Sequence, residues 1–246
     1  MGIKIAKILS LALTRGYLAF YRRFATIKPL TSEHQYQVAL LLTEQFCLRE
    51  PLCRNLKLDV AQLLPFFRHQ VSRACELDLG LVALDSAGQV LGAVILEDHA
   101  DPYVPGEDFL TPEFRAIGAL LDQVSLPESL QEMPKGRLVY CALAAVKPGR
   151  HRAPILSMLT MAVSARMIPR GYSKGYAKVT NPRIIANFRK IERLLGGNLF
   201  FLSEEKSAKD FPPGAFSPLT DFYVAVVYWN LAFLGWSKNG LKPIHK

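Results

Sequence analysis

The residues best suited to chemistry lie in a basic turn, Arg150-His151-Arg152, between an apolar run and a helical pattern. The apolar run covers 138–146 and ends at Lys147-Pro148-Gly149, and the helical pattern covers 155–168. A helix start offers unsatisfied backbone N–H groups and the positive end of the helix dipole, which both attract anions. The turn therefore predicts a site for a phosphate or pyrophosphate group. An ordinary exposed basic turn is the alternative interpretation.

Two further elements must position this turn. A short strand-like run covers 175–179, and a second helical pattern covers 181–195 before Gly196-Gly197. Strands that alternate with helices indicate parallel pairing through crossover helices. Ligands of such sheets usually bind beyond the carboxyl ends of the strands, where the helices begin. The basic turn occupies such a position.

The order of these elements and several residues at their ends resemble the GCN5-related N-acetyltransferase (GNAT) superfamily. Members have a strand that ends in Val-x-Pro, which Val146-Lys147-Pro148 matches. They also have an Asn-x-x-Ala-x-x-x-Tyr-x-Lys segment, in which Asn181 and Lys190 fall in place and Phe188 takes the Tyr position. The resemblance implies acetyl-CoA or another acyl-CoA as the co-substrate, and no metal.

The resemblance also implies which residues bind this co-substrate. Backbone groups of Ala145 and Val146 would align the pantetheine chain and polarise the thioester, and residues 150–156 would hold the pyrophosphate. The implied set is Ala145, Val146, Arg150, His151, Arg152, Ala153, Ile155, Leu156, Asn181, Asn187 and Phe188.

The pyrophosphate loop departs from the family pattern Arg/Gln-x-x-Gly-x-Gly/Ala. The nearest register, 150–155, lacks both glycines, and Pro154 has no N–H to offer. Phe188 cannot donate a proton to the leaving thiolate, although a thiolate leaves well without one. These departures motivate a second hypothesis, a catalytically silent GNAT-like member that serves as a ligand-sensing or membrane-associated binding module. A third hypothesis is an enzyme that transfers a longer acyl chain.

Glu50 is the acid of greatest interest. The segment Phe46-Cys47-Leu48-Arg49-Glu50-Pro51-Leu52 ends a helical pattern and resembles the Glu-Pro-Leu segment of arylalkylamine (dopamine-type) N-acetyltransferases. The resemblance implies that Glu50 is the catalytic base toward a small amine, because an ammonium group cannot attack a thioester. The alternative is a solvated acid beside Arg49 and Arg54. The identity of the amine is not readable from the sequence.

The rest of the chain follows the acetyltransferase order. The predicted elements are a strand at 25–30, a helix capped by Ser32 with Gln35 completing a capping box, a helix at 59–76, a hairpin of 80–84 and 90–96, a helix opened by Thr111-Pro112, a strand at 199–202, a loop at 204–218 and a strand at 222–229. We predict an α/β (α+β) acetyltransferase-like fold of three layers, with a mixed, mostly antiparallel sheet of about seven strands flanked by helices.

Composition narrows the possible partners and the compartment. The chain has 246 residues and a net charge of +9, which favours an anionic partner. Nucleic acid is not favoured, because no zinc finger or RNA-binding aromatic signature accompanies the charge. The four cysteines form no Cys-x-x-Cys pair, which favours free thiols in the reducing cytoplasm over disulfides or a zinc site. The sequence does not indicate the oligomeric state.

The N-terminus has a distinct composition. Residues 1–24 contain no acid, and their cations fall near one helical face while most large apolar residues fall on the other. This pattern predicts a basic amphipathic helix, and a contact between residues 3–24 and an anionic membrane surface. A helix docked on the protein itself and an organelle import sequence are the alternatives. The predicted division is a helix at 1–24, an acyltransferase domain at 25–236 and a basic tail at 237–246.

Overall fold

The computed structural model describes residues 24–106, 111–195, 200–207 and 223–231. Seven strands form one sheet in the order β1-β2-β3-β4-β5-β7-β6. The strands are β1 (Thr26–Pro29), β2 (Gly80–Leu84), β3 (Val90–Asp98), β4 (Leu138–Val146), β5 (Lys174–Val179), β6 (Phe200–Ser207) and β7 (Tyr223–Asn230). Among these described strands, β4 and β5 form the one parallel pair, and the other neighbouring pairs are antiparallel. The predicted α/β class with a mixed, mostly antiparallel sheet is confirmed.

Helices cover both faces of the sheet. They are α1 (Gln35–Arg49), α2 (Pro51–Asn55), α3 (Val60–Glu76), α4 (Pro112–Asp122), α5 (Glu128–Gln131), α6 (Arg152–Met167) and α7 (Pro182–Leu195). One buried cluster joins α1, α3 and α4 to one face, and a second joins α6 and α7 to the other. Successive residues of β2 enter different clusters, which explains why this strand is an unbroken apolar run.

Two predicted boundaries are wrong for physical reasons. No side chain caps α1, which instead follows a 3-10 turn at Ser32–His34, so the capping box at Ser32 does not form. The described capping box is at Asp59, whose Oδ1 accepts from Gln62 N at 2.8 Å while Gln62 Oε1 accepts from Asp59 N at 3.1 Å. The predicted loop at 204–218 also begins too early, because β6 pairs with β7 as far as Ser207.

The sheet opens between β4 and β5. These strands pair only at Leu138–Tyr140 and Lys174–Tyr176. Beyond these residues the two strands diverge like the sides of a fork, with Cys141–Val146 on one side and Ala177–Val179 on the other. The β3–β4 register shifts where Ile95 faces Leu143 and Leu96 faces Cys141, which leaves Ala142 as the extra residue of a bulge. A bulge bends its strand and increases the local twist, and this explains why β4 leaves β5 at this point.

The two ends of the fork are named for the following sections. The closed end is the position of Tyr140 and Tyr176, the last residues that β4 and β5 pair. The open end is the position of Val146 and Val179, which end the two strands. Among the described residues, no helix combines the length and apolar character that crossing a membrane requires.

Candidate active site

Glu50 lies at the open end of the fork. It joins α1 to α2 and is half-buried. Its Oε2 accepts a hydrogen bond from Cys53 N at 2.6 Å, and its Oε1 accepts from Thr180 Oγ1 at 2.5 Å. Thr180 directly follows β5, so the second bond holds the predicted base against the end of that strand. Glu50 is therefore part of a built site rather than a free surface acid.

The local sequence explains this placement. Pro51 begins α2 and restricts the residue before it to an extended conformation, and Glu50 has φ −73° and ψ 126°. The side chain of such a residue can bend back onto the first backbone N–H groups of the helix, as the bond from Cys53 N shows. A carboxylate has about four lone-pair positions, so about two remain for an incoming substrate.

The thiols near the site do not offer a competing nucleophile. Burial and the neighbouring Glu50 carboxylate raise the pKa of Cys53, so this thiol stays protonated. Burial also raises the pKa of Cys141, in the fork, to about 12. All four cysteines are free thiols.

The basic turn lies at the same end of the fork, because α6 follows β4. Burial, and then the nearby charge of Arg49 at the end of α1, lower the pKa of Arg152. Arg150 Nε lies 3.1 Å from His151 Nε2, and the His151 ring stacks on Phe24 at 4.4 Å between centroids. Among the described residues, no carboxylate lies within 4.0 Å of the guanidinium of Arg49, Arg150 or Arg152.

The start of α6 differs from the prediction. The helix begins at Arg152, so most of the predicted pyrophosphate loop is its first turn. Arg152 N donates to Gly149 O at 3.2 Å and Ile155 N donates to His151 O at 3.0 Å. Ile155 is buried, Leu156 is half-buried and Ala153 is exposed. Ile155 thus secures the helix start, and the groups at this turn that could attract an anion are mainly arginine side chains.

Ala145 and Val146, whose backbone is predicted to contact the co-substrate, lie on the part of β4 that borders the open side of the fork. Ala145 and Val146 pair with Ala93 and Gly92 of β3, and their side chains are buried. The opposite edge of β4 has no strand partner beyond Tyr140. Backbone groups along that edge can therefore bond to a ligand that lies in the fork.

The predicted residues of α7 take mainly structural positions. Asn181 Oδ1 accepts from Arg183 N at 3.0 Å, and the Asn181 carbonyl accepts from Ile184 N and Ile185 N, so Asn181 starts the helix. Phe188 is half-buried and packs on the cluster that joins α6 to the sheet. The side chain of Asn187 lies outside the described residues.

The closed end of the fork carries aromatic and polar side chains that the sequence does not single out. The rings of Tyr140 and Tyr176 stack at 4.7 Å, and His99 Nδ1 lies 3.1 Å from Tyr176 OH. Burial raises the pKa of both tyrosines, which keeps them protonated. Among the residues that the structure describes, no group of three or more His, Cys, Asp or Glu side chains could hold a metal ion.

Neither a protein-family model nor a curated protein matches this chain. Solved structures do match it. The C-terminal condensation domain of Ebony, in complex with beta-alanyl-dopamine, has 12% identity and a TM-score of 0.68 over 84% of this chain and 98% of that chain. Arylalkylamine N-acetyltransferase 2 from Aedes aegypti has 14% identity and a TM-score of 0.63 over 84% and 99%.

A third match is a GNAT superfamily phosphinothricin acetyltransferase from Sinorhizobium meliloti, in complex with AcCoA, with 16% identity and a TM-score of 0.50 over 89% of this chain and 93% of that chain. The chain has the GNAT fold. At these identities the likeness establishes the fold and not the reaction. The acetyltransferase-like fold that the sequence predicts is thereby confirmed.

Within this GNAT fold, the structure adds two groups of residues to the sequence prediction. Thr180 holds Glu50, and its only sequence signal is a hydroxyl residue at a strand end just before Asn181-Pro182. Tyr140, Tyr176 and His99 meet at the closed end. The pairing of β4 with β3 and with β5 brings them together, so no local pattern indicates that they meet.

Proposed function

We propose that this protein is an acyl-CoA-dependent N-acyltransferase that moves an acetyl group directly to a small amine. The observation that carries the proposal is the arrangement at the open end of the fork, where Glu50 and the cationic turn flank the unpaired edge of β4. A carboxylate and a cluster of guanidinium groups are the two groups that this reaction requires for its acceptor and its donor.

The donor would lie along the unpaired edge of β4. Backbone groups of Ala145 and Val146 would bond to the pantetheine chain, and Ala142 adds another backbone position because a bulged residue is left out of the ladder. Arg150, Arg152 and Arg49 would surround the pyrophosphate. Guanidinium groups bind phosphate oxygens with charge-assisted hydrogen bonds, so they compensate for the absent glycines.

The acceptor requires a base, because a protonated amine has no lone pair for attack. Glu50 would accept the proton, directly or through a water molecule, and the free amine would attack the thioester carbon. A C–N bond forms, the C–S bond breaks, and the electron pair leaves with the sulfur as the CoA thiolate, while the proton that the attacking nitrogen loses passes to solvent. Phe188 supplies no proton to this thiolate, and solvent can protonate it after departure.

The solved structures of the same fold support an amine acceptor. One is named as an arylalkylamine N-acetyltransferase, and another was solved with beta-alanyl-dopamine. The complex of a third with AcCoA supports an acyl-CoA donor.

Calorimetry with acetyl-CoA, followed by measurement of CoA release with a panel of small amines, tests the proposal. We expect binding that weakens in Arg152→Ala, and release of CoA that depends on the amine. Arg54→Ala, which removes a guanidinium from α2, is the matched control. Absence of binding at millimolar acetyl-CoA would favour a catalytically silent binding module, and a preference for longer acyl-CoA would favour the third hypothesis.

A further inference from the structure

Lys178 is a half-buried lysine on the β5 side of the fork that the proposed mechanism does not use. Its side chain is only 15% exposed, although lysine side chains usually extend into water. Its Nζ donates to Leu121 O at 2.7 Å and lies 3.5 Å from Asp122 Oδ1, both at the C-terminal end of α4. An ammonium group has three N–H donors, so one N–H remains available to a ligand.

Lys178 and Thr180 project to the same side of the sheet. Side chains alternate along a strand, so positions 178 and 180 share a face, whereas Ala177 and Val179 enter the cluster on the other face. The partners agree with this alternation. Lys178 bonds to α4, Thr180 bonds to Glu50 at the start of α2, and both helices pack on the same buried cluster. Lys178 is therefore next along β5 to the residue that holds the proposed base.

The ammonium group of Lys178 is close enough to act on an acceptor through its charge. Two residues of strand rise separate Lys178 from Thr180 by about 7 Å. Thr180 Oγ1 donates to Glu50 Oε1 at 2.5 Å, so an amine bonded to Glu50 would lie in the same region. Two like charges about 7–10 Å apart, at an effective dielectric constant of about 20, change an affinity by about ten- to fiftyfold.

Nearby acids compensate this charge only in part. The Asp122 side chain is 83% exposed, and ion pairs at the surface are weak because water screens them. Glu97 lies on β3, which β4 separates from β5, and Gln70 Nε2 and Tyr103 N donate to its two oxygens. The arginine side chains of the open end add further positive charge. The acceptor side of the fork thus has one carboxylate, Glu50, for one ammonium group.

We propose that Lys178 determines the specificity for the acceptor by excluding amines that carry a second cationic group. This inference rests on the proposed acyltransfer in the fork. The unreacting ammonium of a diamine would enter the side of the sheet where α4 fixes the Lys178 ammonium, and like charges repel in a partly desolvated site. An uncharged remainder avoids this repulsion. A remainder with a carboxylate can also accept from the available N–H of Lys178.

The test compares three four-carbon acceptors that differ in their far group: putrescine, butylamine and 4-aminobutyrate. We expect kcat/KM for butylamine to exceed that for putrescine by about ten- to fiftyfold, and 4-aminobutyrate to be at least as good as butylamine. Lys178→Met removes the charge and should reduce the ratio of butylamine to putrescine toward one. Lys178→Arg keeps the charge and should keep most of the ratio. Lys28→Met, at an exposed lysine of β1, is the matched control and should keep the wild-type ratio.

Asp122→Asn sharpens the test, because the expected change has the opposite sign. This variant removes the acid that partly compensates Lys178, so the ratio of butylamine to putrescine should rise above the wild-type value. A merely structural role of Lys178 in holding α4 would lower kcat/KM for all three acceptors alike and would leave the ratios unchanged. The ratio of two acceptors in one preparation is also insensitive to a modest loss of folded protein.

Two results would overturn the inference and leave the proposed function intact. One is equal kcat/KM for putrescine and butylamine in the wild type, and the other is an unchanged ratio in folded Lys178→Met. If no amine is acetylated, the proposed function fails, and calorimetry with the three amines decides separately. Binding of butylamine that exceeds binding of putrescine in the wild type but not in Lys178→Met would support the inference, and equal or absent binding in the wild type would reject it.

Discussion

The two ends of the fork are formed by different parts of the chain. The open end is formed by residues between elements: Glu50 between two helices, Thr180 after a strand and the basic turn before α6. The closed end is formed by strand residues and their cross-strand neighbours, among them Glu97, Tyr140 and Tyr176. The open end is half-buried or exposed and carries three arginine side chains, whereas the closed end is largely buried and includes the buried carboxylate of Glu97.

This difference separates the turn residues that we assign to the reaction from the strand residues that are fixed by the sheet. Residues in turns can contact solvent and bulky ligands, but they need a second element to fix them, as Thr180 fixes Glu50. Strand residues are fixed by the ladder itself, but their backbone groups are free to bond a ligand only where the pairing stops. We therefore expect changes at the open end to lower turnover, and changes at the closed end to alter stability.

The largest effect should come from Glu50→Gln, which removes the base at the open end and keeps the shape of the side chain. We expect kcat to fall by roughly 10²–10⁴-fold, the usual contribution of a positioned base. Binding of acetyl-CoA should stay intact, because the carboxylate is assigned to the acceptor and not to the donor. Steady-state kinetics and calorimetry on the same preparation measure both quantities.

Glu44→Gln, which removes a half-buried acid of the same helix, should leave the rate unchanged. Thr180→Val removes only the hydroxyl that holds Glu50, and we expect an intermediate loss of kcat. An unchanged rate in Glu50→Gln would show that Glu50 only caps α2, and the open end would then have no assigned base.

The contrast also explains how much the sequence reveals. Glu50 and the basic turn are visible because their signals are local: a Glu-Pro-Leu segment, and cations between an apolar run and a helical pattern. The strands and most helices are visible for the same reason. Thr180 and Lys178 are not, because their roles depend on contacts across 130 and 57 residues, respectively. Sequence periodicity does not encode strand register across such separations.

Helix starts show the same limit on a smaller scale. Ser32 and Asp59 both have a glutamine three residues later, so both match the capping-box pattern. The prediction from the sequence names a box only at Ser32. The box forms only at Asp59, because Thr31 bonds to His34 through its side chain, and a 3-10 turn precedes α1. A capping pattern thus indicates a helix start without fixing its geometry.

The second-largest effect is a loss of stability, and it concerns Tyr172, which lies just before β5. Its hydroxyl donates to Asp98 Oδ2 at 2.9 Å, and Gly136 N donates to the same oxygen at 2.7 Å, so Asp98 ties together the chain around three strands. Tyr172→Phe should lower the free energy of unfolding by about 1.5–3 kcal/mol, the range for a hydrogen bond to a charged group. Urea unfolding at neutral pH measures this loss. Tyr36→Phe, at a residue that is 58% exposed, is the matched control and should show none.

The same residue predicts a pH dependence. Burial, followed by the bond to Asp98, raises the pKa of Tyr172 from 10.0 to about 12. The folded state therefore holds this proton more tightly than the unfolded state, and its stabilising contribution is complete below about pH 10. The contribution is lost as the pH rises from about 10 to about 12, so Tyr172→Phe should lose less stability over that range than the wild type. Parallel curves for the two proteins would contradict the assignment.

The smallest effect concerns the N-terminus, of which the structure describes residues from Phe24 onward; the Phe24 ring stacks on His151 of the basic turn. Residues 1–23 lie outside the described residues, and their sequence predicts a basic amphipathic helix without an acid. We propose that this helix binds an anionic membrane surface. Such a helix gains from apolar burial and also about 1 kcal/mol per cation near anionic headgroups, whereas docking on its own domain gains mainly the burial term.

The protein should then co-sediment with phosphatidylserine vesicles at low salt and less at high salt, where exposed charges are screened. Deleting residues 1–23 keeps Phe24 and should abolish co-sedimentation without lowering the melting temperature. Early melting or loss of solubility in the truncated protein would instead show that the helix packs on the core.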